Sequence, residues 1–546
     1  MRNIIRKALF LSVLTPSVIL AQKPGGGVSD QSQDVIKNFD AKLLETERIT
    51  VNPVLPNVDT ATRVQTYSVP NKVLNVEYSA PRMRPISMAQ QKLPPQYNGY
   101  AKAGYGFPNS PYGEAAYRFG DPQRYLVGAK VKHHSAEDKS YENQRFATTN
   151  VEGSGTFYAQ AGVAVDAKLG FDNNTRQFYG YDHDKKTFSR ADTKQLFNVL
   201  SASAKGYNSA RTVADVNYSI GLGFSNLQDN YSNKETDFNI RAEGTKWFNE
   251  KHPLSIVLRT EFTKLSPKSE KNQTLNNIHL IPSFTFKGDA FSVRIGANLV
   301  SSNDNFYPLP DVEASLNVAG TAFQIFGAAK GDFIKNSYRN LTAYNPFINP
   351  DTFRIQNTNR TEYYGGLKGS LSLFDYSVQA GFSNNKNLAL FLSDSTDKFR
   401  RFNVLYDTVN IVNVRGALTM HLSKDLEVVG TVSQNIYSAK NQKAAWGLPS
   451  TDVNLQAKYS VVSKGNQTAL AKASLFVQNG VPYKDAKGEI SRLDPLFDIN
   501  IGGELWFSKN VGAFLDINNL LNLKRQRWQN HPNFGLNILG GLTARF

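Results

Sequence analysis

The chain has 546 residues, no cysteine, and 62 Lys and Arg against 46 Asp and Glu, for a net charge of +16. The absence of cysteine excludes disulfide frameworks, zinc–thiolate sites, iron–sulfur clusters and cysteine nucleophiles. No apolar run reaches the about 20 residues of a transmembrane helix, whereas 12 % aromatic residues beside 39 glycines suit strands that are apolar on alternate positions only.

Arg2, Arg6 and Lys7 precede a short apolar stretch, Ala8 to Leu20, that ends at Ala21-Gln22. A basic flank, a brief apolar core and a small residue at the cut describe a secretory signal peptide. Residues 1–21 are therefore expected to be removed, with Gln22 as the mature start. No Cys follows the cut, so lipoprotein attachment is not expected.

Residues 22–96 differ in texture. They open on Pro24-Gly25-Gly26-Gly27 and contain eight prolines, each of which removes a ladder donor. Asp34-Val35-Ile36-Lys37 and Arg48-Ile49-Thr50-Val51 are the pieces able to form short strands. The expectation is a partly ordered periplasmic arm without a sizeable core of its own.

From Tyr97 to Phe546 the pattern is uniform alternation. Val163, Val165, Ala167, Leu169 and Phe171 share one face against Asp166 and Lys168. Val216, Tyr218, Ile220, Leu222 and Phe224 oppose Asp215, Asn217 and Ser219. Leu254, Ile256, Leu258 and Phe262 oppose Arg259 and Glu261, and Phe291, Val293, Ile295, Ala297 and Leu299 oppose Ser292, Arg294 and Asn298. A period of two is a strand with one apolar face.

The connections also alternate. Tight turns rich in Gly, Asn, Asp and Ser fall at 120–123, 287–289, 423–425, 463–466 and 508–510. Polar loops fall at 137–147, 182–191, 228–235, 267–274, 338–359, 440–450 and 481–493. Short turns at one end and long loops at the other fit an outer-membrane barrel, with the short turns toward the periplasm. The fold class is thus all-β, a transmembrane antiparallel meander barrel. About 22 strands are expected, within an even range of about 18 to 22 because 99–119 and 145–160 alternate weakly. A secreted stack of β-sandwiches also predicts alternation, but it needs Greek-key crossovers and variable strand lengths.

The carboxy terminus favours the barrel. Phe534, Leu536, Ile538, Gly540, Leu542, Ala544 and Phe546 fall on one face, and Asn537, Gly541, Thr543 and Arg545 on the other. A last amphipathic strand ending in Phe546 is the expected signal for the barrel insertion machinery.

The arm segment Asp34-Val35-Ile36-Lys37 through Val51-Asn52-Pro53 and the barrel entry Tyr100 to Phe107 carry a resemblance. So do Asn345-Pro346-Phe347, Asn357-Thr358, Gly365-Gly366-Leu367-Lys368-Gly369, Asp516 to Asn522 and the final strand. In these stretches the chain resembles the Bacteroidota outer-membrane barrels that are TonB-dependent-receptor-like but lack a plug. The resemblance implies an outer-membrane location and a transport role, and it implies no substrate. Residues 22–96 are too few for a receptor plug, and Glu47-Arg48-Ile49-Thr50-Val51 is only a loose TonB-box-like string.

Catalysis is not expected. Asp182-His183-Asp184 sits in an outer loop beside Lys185 and Lys186 and reads as solvated surface. His133 and His134 are adjacent on a strand, so they point to opposite faces and cannot chelate one metal together. His252, His279, His421 and His531 complete the histidines without a nucleophile, a base and an orienting group at one place. No catalytic, cofactor or metal residue is assigned, and no cofactor is expected.

Inward positions carry both signs, as in Asp166/Lys168, Arg259/Glu261, Asp311/Glu313 and Asp498/Glu504, which reads as an ordinary polar lining rather than an ion filter. The excess positive charge suits outer-membrane lipids, including lipopolysaccharide, at the rim. No nucleic-acid module accompanies it, so nucleic acid is not an expected partner. Residues 22–96 are the expected contact for a periplasmic or lipoprotein partner. Two functions remain open: a transport channel or receptor-derived pore, and a non-transporting structural or assembly subunit of an envelope complex.

Overall fold

The computed structural model describes residues 97–159, 162–210, 212–268, 270–463 and 466–546. The expected signal peptide, the arm and the loose TonB-box-like string lie outside the described residues.

Twenty-two strands form a single closed antiparallel sheet in which each strand pairs with its sequence neighbour. The first, Gly99–Phe107, pairs with the last, Asn537–Arg545, in a register that sets Tyr100 opposite Arg545 and Phe107 opposite Ile538. Both weakly alternating regions are strands, at Gly99–Phe107 and Ser110–Asp121 and at Arg145–Ala159. The count therefore sits at the top of the expected range.

Most strands run 12 to 15 residues, and Phe374–Ser393 and Phe402–His421 reach 20. About 9–11 tilted residues cross a bilayer, so most strands continue beyond it on the long-loop side, whereas Gly99–Phe107, Val511–Asn518 and Asn537–Arg545 are only long enough to cross. At the other end the turns are short. Asn249 and Glu250 both adopt positive φ, at 49° and 55°, in the two-residue geometry that matches strand twist. No helix among the described residues is long and apolar enough to cross a membrane. The crossing is made by strands, whose backbone groups pair with their neighbours around the closed sheet.

Every apolar face read from the alternation points outward. Leu169 is 65 % exposed, Ile295 64 % and Leu542 63 %. On a protein in water such a continuous apolar exterior would be a large hydrophobic patch; around a closed barrel it is the surface that meets lipid. At the short-turn end, Phe546 stacks on Tyr117 at 6.0 Å, and Tyr117 on Phe119 at 6.2 Å. One detail of the terminal strand differs from expectation. The strand begins at Asn537, and Phe534 and Leu536 belong to the preceding loop, where Phe534 packs edge-on against the inward ring of Phe146.

Two short helices occur among the described residues, Arg190–Thr193 and Tyr338–Tyr344, both in long outer connections. Two small hairpins, Pro482–Lys484 with Ile490–Arg492 and Gln526–Trp528 with His531–Pro532, lie in the last two. The largest buried core among the described residues forms where the long connections pack on the outer ends of the wall strands, such as Phe197, Leu265 and Phe391.

Candidate functional site

The long connections turn inward and meet over the mouth of the barrel. The sequence reason is that they are not uniformly polar. Residues 338–355 alone contain Tyr338, Leu341, Tyr344, Phe347, Ile348, Phe353 and Ile355. Placed at the ends of strands whose outer faces belong to lipid, these side chains can leave water only by packing on one another.

The connection 178–193 follows strand Val163–Gln177, and 394–401 follows Phe374–Ser393, ten strands further round the ring. They touch across the mouth. Phe178 stacks on Phe399 at 5.8 Å with 15° between the rings, and Phe188 meets Phe399 edge-on at 4.9 Å. The Arg401 guanidinium covers both Phe178 and Phe399. Arg401 is held in turn by Asp397 at 2.8 Å and Asp351 at 3.3 Å. Burial raises the Asp397 carboxyl, but hydrogen bonds from Arg401 outweigh it and leave the group below the usual carboxylate range.

Helix Tyr338–Tyr344 is anchored to the wall from below. Ser337 caps it, accepting from the Asn340 amide. The buried Glu235 carboxylate accepts from the amides of Tyr338 at 2.5 Å and Arg339 at 3.2 Å, so two otherwise orphaned donors are satisfied from the strand end. Tyr338 donates its hydroxyl to Asp229 at 2.6 Å and stacks on Phe353 at 4.4 Å.

The last hairpin closes the centre. Trp528 packs against Tyr344, Phe391 and Phe402 at 5.4–5.6 Å. His531 stacks on Phe347 at 4.0 Å and meets Tyr179 edge-on at 5.0 Å. Gln144 and Tyr179 both donate to the Pro532 carbonyl, at 2.6 and 3.0 Å, which joins the connection 138–144 to the same centre. The His531 ring is 1 % exposed and its Nε2 has no partner among the described residues. Burial lowers its pKa from 6.5 to about 4, so the ring is neutral near pH 7.

Beneath this lid the inner wall is lined by paired charges. Lys102 meets Glu504 at 2.6 Å, Arg294 meets Asp311 at 2.6 Å, Lys330 meets Glu313 at 2.6 Å and Lys472 meets Asp516 at 2.7 Å. Arg259 reaches Asp332 at 2.5 Å beside the buried His279. Glu114 accepts from Tyr100 and Tyr112, each at 2.5 Å, and pairs with Lys130 at 3.0 Å. Neutralised pairs of this kind give the lumen a polar lining.

Asp166, Arg259, Asp311, Glu313 and Glu504 face inward, as expected, and are hydrogen-bonded or ion-paired. His133 and His134 point to opposite faces, with His133 on Thr149 at 2.8 Å. The Asp182-His183-Asp184 tip is not simply solvated surface. His183 stacks on Tyr181 at 4.1 Å and meets Tyr141 edge-on at 4.4 Å, and Asp182 reaches Arg400 at 3.8 Å, because the connection folds inward instead of standing up into water.

Sequence reading missed a pair within the barrel, Ser110 Oγ and His134 Nε2 at 3.2 Å. No carboxylate among the described residues hydrogen-bonds or ion-pairs with His134, and Ser110 is fully buried, so the pair lacks the orienting group and the access of a nucleophilic site. Among the described residues no group of three or more metal-ligating side chains occurs.

No protein-family model and no curated protein sequence matches the chain. Solved structures do. The FrpB iron transporter from Neisseria meningitidis superimposes with a TM-score of 0.63 at 8 % identity, over 83 % of this chain and 83 % of that one. The pyoverdine outer membrane receptor FpvA from Pseudomonas aeruginosa gives 0.60 at 10 % identity, over 84 % and 79 %. The ferric-catecholate import receptor Fiu from Escherichia coli K12 gives 0.60 at 9 % identity, over 83 % and 82 %. At such identities the likeness is one of fold: a barrel of the kind built by TonB-dependent receptors of the outer membrane.

Proposed function

We propose that this protein is an outer-membrane transport barrel without a receptor plug, closed at its outer mouth by its own loops and opened when a solute displaces them. The observation that carries the proposal is the contact of Phe178 and Phe188 with Phe399, made by connections from opposite sides of the ring. A barrel of this strand number encloses a lumen wide enough to need closing. A cover built from loops rather than from the wall is the part of a barrel best able to move. The fold shared with iron-uptake receptors supports a transport role and leaves the solute open.

The rival reading is a scaffold barrel whose lid never opens and whose function is to hold other envelope proteins. It draws support from the same lid, because the loops share one buried core with the wall strands, more than a loosely resting loop requires. In either case residues 22–96 are proposed to contact a periplasmic or lipoprotein partner, through the main-chain hydrogen bonds of their strand-capable pieces.

Swelling of liposomes in neutral sugars of increasing size separates the two readings. In the transport reading, Phe399→Ala with Trp528→Ala loosens the lid and lets sugars enter that the unaltered protein excludes. Equal exclusion by both proteins, with both assembled, supports the scaffold.

A further inference from the structure

The seam between the first and last strands carries a groove on the lipid-facing wall. In the register of the three strands that meet there, Tyr105 lies opposite Gly540 and Gly540 opposite Leu515. One step toward the outer end, Phe107 lies opposite Ile538. Large side chains therefore flank a position with none. Tyr105, Phe107 and Leu515 are 63 %, 65 % and 49 % exposed, so the depression opens toward the bilayer and not toward the lumen. It measures about 1100 Å³, slightly above the roughly 300–1,000 Å³ of pockets that hold compact ligands.

The upper end of the groove changes character. Lys524 is fixed over it by Asp138 at 2.9 Å and Ser140 at 3.0 Å, and Asn109 and Asn522 lie alongside. Glu137 and Asp138 line it as well, but their carboxylates are engaged by Arg190 and Lys524, whereas Lys139 lines it, is exposed, and makes no ion pair among the described residues. An apolar floor at membrane depth, ending beneath an unpaired ammonium and several hydrogen-bonding side chains at the outer interface, matches an amphiphile in both halves.

We infer that this groove is a specific binding site for a phosphorylated, acylated sugar lipid of the outer leaflet, the lipid A part of lipopolysaccharide. An acyl chain would lie over Gly540 between Tyr105 and Leu515. A phosphate would face Lys139, and the sugar hydroxyls would meet Asn109 and Ser140. The groove stands at the long-loop end, so its occupant comes from the outer leaflet. The inference is independent of whether the barrel transports anything.

Gly540 offers a clean test, because a Cβ there would meet Leu515 Cδ1 at 3.6 Å and the Phe514 carbonyl at 3.7 Å, both ordinary contacts. Gly540→Leu therefore fills the groove without forcing the backbone. The full mature protein, extracted and stripped of lipid, is offered purified lipid A, dephosphorylated lipid A or phosphatidylglycerol, and retention is read by native mass spectrometry. The expected result is one lipid A held per barrel. Gly540→Leu and Lys139→Glu should each cut retention at least tenfold while both variants still shift on heating as folded barrels. Dephosphorylated lipid A should be held at least tenfold less well. Should Gly540→Leu not assemble, Lys139→Glu carries the test alone, since Lys139 lies in a loop. Equal retention by the variants overturns the site, equal retention of the dephosphorylated lipid overturns the role of Lys139, and equal retention of phosphatidylglycerol overturns the assignment to the glycolipid.

Discussion

His531 concentrates the physics of the lid in one side chain. A neutral imidazole packs as an aromatic ring, but protonation would place a charge among Phe347, Tyr179 and Phe402 with only the Gln529 carbonyl on Nδ1 and no partner for Nε2. Because its folded pKa lies near 4 and its ordinary value is 6.5, the closed lid binds the proton less readily than the open one. The closed state is thus fully favoured above pH 6.5 and loses stability as the pH falls from there toward 4, by up to about 3 kcal/mol. Trp528 fluorescence, followed from pH 7 to 4, should report this opening, and His531→Phe should remove the pH dependence while keeping the lid closed. A transition that persists in His531→Phe would assign it to another group. Gly180 is the complementary case. A Cβ there would sit 2.3 Å from His531 Cε1, so Gly180→Ala should weaken closure by about 1–3 kcal/mol through overpacking. The same fluorescence change, shifted to milder conditions, checks it.

At the level of elements, the strands were the most legible part of the chain. Lipid outside and a polar lumen inside impose a strict period of two, so Val165, Leu169 and Phe171 announce their face without help from tertiary context. The terminal strand tests the register. Leu542 points to lipid and the neighbouring Thr543 inward. Leu542→Arg should therefore cost about 2–4 kcal/mol if it sits near the bilayer mid-plane, against less than about 1 kcal/mol for Thr543→Ser. Denaturant titration of the folded barrel in lipid measures both, and equal costs would contradict the register. Removing Phe546, which stacks on Tyr117 and pairs with Gly99 through its backbone, should lower the amount of heat-modifiable barrel in cells without lowering synthesis. The loop elements were not legible in the same way. Tyr338, Phe347 and Phe353 lie in a stretch with no period, and the burial of Tyr338 and Phe347 depends on partners such as Phe197, Tyr179 and His531 that are distant in sequence. The unpatterned aromatics in otherwise polar loops were the available signal; in the Asp182-His183-Asp184 tip, Asp184 is exposed as expected, but His183 packs between Tyr181 and Tyr141, neighbours not visible along the chain.

At the scale of the whole molecule, strand number, closure and the sidedness of the connections followed from the alternation of short turns and long loops. How the mouth is closed did not follow, because it is decided by contacts between loops ten strands apart. The balanced lumen was legible in outline, since Asp311 and Glu313 could be placed inward; their partners Arg294 and Lys330 required the register between strands. The central claim is that the lid closes the barrel and can be opened, and planar-bilayer recording of the protein lacking residues 22–96 tests it most directly, because the arm then cannot account for a blocked lumen. The account predicts a quiet baseline for this protein at pH 7 and large, sustained openings once Phe399→Ala and Trp528→Ala are introduced. A large, steady conductance from the protein with its lid unaltered would contradict it.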